Sequence, residues 1–151
     1  MHSPDAQLRA DIEKATSALF KFLSAMQAWN NKFATLFQED GSLAHRDQAE
    51  AEVRLIFERY LATISQEHPI FSVGYPGEYN SEAEKIVSTE SPNVRKVVIR
   101  TLWTHPDVPT STQQHRYTMI NKSGEWRLDK DEFYSEDKWR KRAFFVRPRQ
   151  K

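Results

Sequence analysis

Apolar residues recur at every third or fourth position through the first part of the chain. Leu8, Ile12, Ala15, Leu19, Phe22, Met26, Trp29, Phe33 and Leu36 form one stripe, widened by Phe20, Leu23 and Phe37. This spacing predicts an amphipathic helix over about residues 4–38, with Ser3 as N-cap, Pro4 in the first turn and Gly41 as terminator. A second stripe of Val53, Ile56, Phe57, Tyr60, Leu61 and Ile64 predicts a helix over about 46–65, starting near Leu43 or Asp47 and stopped by His68-Pro69.

Beyond Pro69 the period changes to two, and a sheet is expected over about residues 70–133. Phe71–Tyr75 and Lys85–Thr89 are candidate short strands, and Arg95–Thr104 is a long one. In the long strand Val97, Ile99 and Trp103 lie on one face, with Val98, Arg100 and Leu102 on the other. His115–Asn121 and Glu125–Asp131 form a hairpin across Lys122-Ser123-Gly124. Trp126 and Leu128 then share a strand face that the first helix can cover. The aromatic and basic segment 134–151 is either a short helix or a further edge strand. Two helices followed by an antiparallel meander make an α+β fold in a single domain, residues 1–151.

Composition narrows the chemistry. The chain has 151 residues, no cysteine and four scattered glycines. Disulfides, thiolate nucleophiles and glycine-rich phosphate loops are therefore excluded. No two of its five histidines are spaced three or four apart, and DKDEFYSED (129–137) lacks the spacing of a calcium loop, so no metal or other cofactor is expected. The longest apolar run, Ala143–Val146, falls far short of the roughly 20 residues of a membrane helix. With no leader signal at the start, the expectation is a cytoplasmic protein with no membrane partner.

The net charge of +1 hides an asymmetry, because residues 1–92 carry −6 and residues 138–151 carry +7. Lys138-Trp139-Arg140-Lys141-Arg142 interleaves basic and aromatic residues as nucleic-acid surfaces do, but Trp139, Phe144 and Phe145 serve equally as apolar anchors for the tail. Nucleic acid is therefore not the expected partner. The loop GYPGEYNSEAE (74–84) combines Tyr75 and Tyr79 with Glu78, Glu82 and Glu84, a composition suited to protein contact. Asp129 and Asp131, two apart on a strand, are expected to face solvent opposite Trp126 and Leu128, with Glu132 beside them. His115 would complete an acid–base pair if it lined a pocket.

The element order and the C-terminal hairpin resemble the nuclear transport factor 2-like fold, in which helices sit in a cone wrapped by a curved antiparallel sheet. Within that superfamily the chain looks most like the immunity proteins of bacterial polymorphic toxin systems. FLSAMQAWNNKF (22–33), the Arg116-Tyr117 strand, GEWRLD (124–129) and YSEDKWRKRAFF (134–145) carry the resemblance over about residues 8–145. It implies a long first helix and a second helix packed in the concave face of the sheet. It also implies a stoichiometric complex with a cognate toxin domain and no cofactor. Enzymes of the superfamily place an Asp or an Asp/His pair in the cone, and no such pair aligns here, so no catalytic residue is assigned. The residues expected to meet a basic toxin surface are Tyr75, Glu78, Tyr79, Glu82, Asp129, Asp131 and Glu132, chosen for exposure and charge. An isomerase- or dehydratase-type enzyme, a small-molecule-binding domain and a homodimeric adaptor remain alternatives. A pocket of at least about 300 Å³ near His115 would favour ligand binding.

Overall fold

The computed structural model describes residues 4–148; the expected Ser3 cap and the basic residues Arg149 and Lys151 lie outside that range. The first stripe forms helix α1, Pro4–Asp40, about 55 Å long at 1.5 Å per residue. Its buried face carries Leu19, Phe22, Leu23, Met26, Trp29 and Phe33. Gly41, at φ +85°, turns the chain into α2, Ser42–Tyr60. The Trp29 indole N–H donates to the Ala49 carbonyl at 3.0 Å and ties the two helices together.

Helix α2 ends at Tyr60, five residues before the expected stop. Leu61 is extended, and the Ala62 N–H donates to the Leu128 carbonyl at 2.9 Å. Arg127 donates to the carbonyls of Glu58 and Leu61 at 3.0 and 3.2 Å, and Lys122 donates to that of Ala62 at 2.5 Å. The helix-terminal carbonyls are thus satisfied by side chains of a distant hairpin, which another turn of helix would displace.

Five strands follow: β1 Glu84–Asn93, β2 Lys96–Thr104, β3 Thr112–Lys122, β4 Glu125–Ser135 and β5 Lys138–Arg142. They form one antiparallel meander in sequence order. The segment 134–151 resolves in part into edge strand β5, not a helix. Phe71–Tyr75 is not a strand. Its Gly74 backbone bonds in both directions to the Asn30 side chain of α1, at 3.0 Å each way. Gly77 lies against the same asparagine, and a Cβ there would meet Asn30 Nδ2 at 2.7 Å.

The helices cover one face of the sheet, where Val97, Ile99, Tyr117, Met119, Trp126 and Leu128 meet the α1 stripe. Phe144 and Phe145 close the cone from the far end, edge-on to the Phe57 ring at 5.4 and 5.5 Å. The open α+β expectation of helices in the concave face of the sheet is the architecture observed.

Candidate functional site

Strand alternation brings two sets of polar side chains into the cone. Val97, Ile99 and Thr101 of β2 point inward, as do His115, Tyr117 and Met119 of β3. The buried Glu84 of β1 gathers the first set. Its carboxylate accepts from the Thr101 hydroxyl, from His115 Nδ1 and from the Tyr117 hydroxyl, the last at 2.8 Å. Burial pushes the Glu84 pKa up, but these donors, His115 above all, outweigh it and leave the group below the usual carboxylate range. The remaining ring nitrogen of His115 bonds to Gln113 at 2.9 Å.

The second set joins β4, β5 and the loop before β1. Asp131 accepts from the Tyr79 hydroxyl at 2.8 Å and from Arg142 at 2.9 Å, and the Arg142 guanidinium lies 4.8 Å from the centre of the Tyr79 ring. Burial and the neighbouring Asp131 charge hold the Tyr79 hydroxyl well above its ordinary pKa. Burial likewise raises Tyr117, with Asp131 and Glu84 adding to it.

Between the sets opens a cleft of about 470 Å³, lined by Trp103, Gln113, His115, Phe133, Arg142 and the Pro76–Glu78 loop. The Trp103 indole N–H and the Arg142 Nε–H are buried and have no hydrogen-bond partner among the described residues. His115 does line a pocket, as the ligand-binding alternative requires. Among the described residues no cluster of three or more metal-ligating side chains occurs, and no helix is long and apolar enough to cross a membrane.

The expected contact residues fall into different environments. Tyr75, Glu78 and Glu82 are exposed, with the Tyr75 hydroxyl donating to Asp107 at 2.5 Å. Tyr79 is buried. Asp131 is fully buried, contrary to its expected outward position. The cause is a β-bulge: Met119 faces Leu128 and Thr118 faces Lys130, so Asp129 is passed over. One extra residue reverses the alternation and sends Asp131 inward, on the same side as Leu128. Asp129 itself is half-buried. Glu132 does face outward, but Arg116 holds it through two bonds of 3.0 and 2.9 Å.

The outward sheet face holds residues that the charge-based choice passed over. Arg100, Arg116, Glu132 and Lys141 stand in one row across β2–β5. Trp139 faces Tyr134 across the last strand pair, with ring centres 5.4 Å apart. The guanidinium carbons of Arg116 and Arg100 lie 4.4 and 5.2 Å from the Trp139 ring centre. The basic-aromatic composition of 138–142 signalled this cluster in the sequence; its partners on β2 and β3 carried no local signal.

Comparison with known families shows a match over residues 14–143 to the NTF2 fold immunity proteins. Among curated proteins, the chain is similar to immunity protein RhsIA of Dickeya dadantii (strain 3937). The two are 30% identical over 134 residues, covering 85% of this chain and 95% of the relative. No solved structure matches.

Proposed function

The chain belongs to the NTF2 fold immunity protein family, and from that membership we propose that it neutralises a cognate toxin domain by binding it in a stoichiometric complex. The observation that carries this reading is the family match, which spans most of α1, all of α2 and all five strands. The interior geometry is consistent with it. Glu84, His115, Asp131 and Arg142 are engaged with one another's neighbours across four strands, as a polar clamp that fixes the sheet. Binding then falls to the surface. Of the sequence-chosen residues, Tyr75, Glu78 and Glu82 are exposed on a loop, with the Tyr75 hydroxyl held by Asp107.

The test is co-production with a cognate toxin domain, sought first among the proteins encoded beside this gene. A one-to-one complex on size-exclusion chromatography, together with restored growth of toxin-producing cells, is the expected result. Continued killing and separate elution of the two proteins would remove the proposal.

A second reading, a small-molecule-binding domain, is favoured by the cleft beside His115. Trp103 and Arg142, which line it, each carry a buried N–H without a partner among the described residues, and Phe133 and the Trp103 ring supply an apolar wall. A fragment screen followed by thermal shift, with Trp103→Phe as control, tests it. That substitution removes one donor and keeps the wall, so hits should weaken in the variant. A screen with no saturable hit ends this reading.

A further inference from the structure

We propose that the outward face of the sheet across β2–β5 is the docking surface, and that the toxin presents an acidic patch to it. The inference rests on the neutralisation reading and adds the face and the partner's chemistry. It reverses the charge sense expected from the acidic residues.

The first ground is a like-charge pair. Arg100 and Arg116 stand directly opposite each other on β2 and β3. Like charges in that position destabilise a sheet, and while Glu132 compensates Arg116, Arg100 has no ion-pair partner among the described residues. Trp139 relieves part of the cost by lying within cation–π range of both guanidinium groups.

The second ground is charge excess. Lys130 and Lys141 extend the cationic surface. Like Arg100, they are exposed and form no ion pair among the described residues. Acids share this face as well, and Glu125 at the hairpin end of β4 is held by Arg127. Glu132 is already held by Arg116, and Glu90 lies on edge strand β1, where its charge supports that of Arg116.

The third ground is composition. Trp, Tyr and Arg are the residues that dominate binding energy at protein interfaces, and Trp139, Tyr134, Arg100 and Arg116 form one contiguous group. The arginines are already held against an aromatic ring, so ordering them on binding costs little. The acidic loop offers less, since Tyr79 is buried and Tyr75 is tied to Asp107. The family membership, that of immunity proteins, favours an acidic protein over nucleic acid as the occupant. A second copy would set this cationic face against itself.

The experiment uses the full chain and the same toxin domain in inactivated form, with affinity measured by surface plasmon resonance. The triple variant Arg100→Glu, Lys130→Glu, Lys141→Glu changes exposed positions and should keep the wild-type melting temperature. It should weaken binding by about 100-fold or more, mainly through slower association. Trp139→Ala should weaken it roughly 30-fold, as a hot-spot truncation does. Glu78→Ala with Glu82→Ala should leave affinity unchanged. Full binding by the triple variant, with loss in the Glu78/Glu82 variant, overturns the docking face while toxin neutralisation stands. Failure of the wild-type protein to bind the toxin overturns both. Tighter binding of a duplex or single-stranded oligonucleotide than of toxin, or a homodimer abolished by the triple variant, also overturns the docking proposal.

Discussion

Asp131 shows how much one buried carboxylate does in this fold. It accepts from Tyr79 and Arg142 at once, joining a loop to the last two strands. Asp131→Ala leaves a largely buried guanidinium without its counter-charge, and the loss expected is about 3 kcal/mol, read by urea denaturation. Glu84 supports a pH prediction. Its folded pKa lies below the ordinary 4.5, so its stabilisation is complete above that value and is lost as pH falls through the folded value. The melting temperature of the wild type should therefore fall on acidification below about pH 4.5. In Glu84→Gln the wild type's advantage should shrink over the same range. Equal acid sensitivity of the two proteins would count against the clamp. His115 was legible in the sequence only as half of an acid–base pair if it lined a pocket. Its partner Glu84 lies 31 positions away, where no local pattern can point to it.

At the scale of elements, two turns explain what was read and what was missed. The β3–β4 hairpin turns through Ser123 and Gly124, both at positive φ, and its glycine announced it. The β4–β5 hairpin turns through Glu136 and Asp137, at φ 52° and 64°, with no glycine or asparagine to mark it. Strand β5 was consequently open between helix and strand in the sequence. Asp137→Gly relieves a left-handed residue and should raise stability by roughly 0.5–1 kcal/mol, seen as a higher urea midpoint at unchanged slope. The bulge at Asp129 gives a sharper contrast. Asp129→Ala should cost less than about 1 kcal/mol and deletion of Asp129 only closes the bulge into a regular ladder, whereas one residue inserted after Lys130 would turn Asp131 outward. Loss of cooperative unfolding in the insertion variant alone is the expected outcome, followed by near-ultraviolet circular dichroism.

For the molecule as a whole, the cone is held by aromatic packing. Trp126 is buried on the inner sheet face, as its place after the hairpin turn implied. Trp126→Ala should destabilise by about 3–5 kcal/mol, and a binding loss without any fall in melting temperature would contradict its core role. The charge asymmetry along the sequence becomes a spatial one only in part. The basic tail contributes Lys141 to the outer face but turns Arg142 inward to Asp131. On the docking proposal, toxin association should slow as salt rises from about 50 to 500 mM while dissociation changes little, measured by stopped flow.

The sequence by itself determined the two helices, the hairpin at Gly124, the division of β2 into two alternating faces, and the family resemblance. These follow from periodicity and turn chemistry, which are local properties of the chain. Tertiary structure decided the end of α2, the bulge that buries Asp131, the polar clamp around Glu84 and the gathering of Arg100, Arg116 and Trp139 on one surface. Each depends on which strand lies beside which and in what register. A single extra residue in a ladder reverses every later side chain, and that register is set by the packed sheet as a whole.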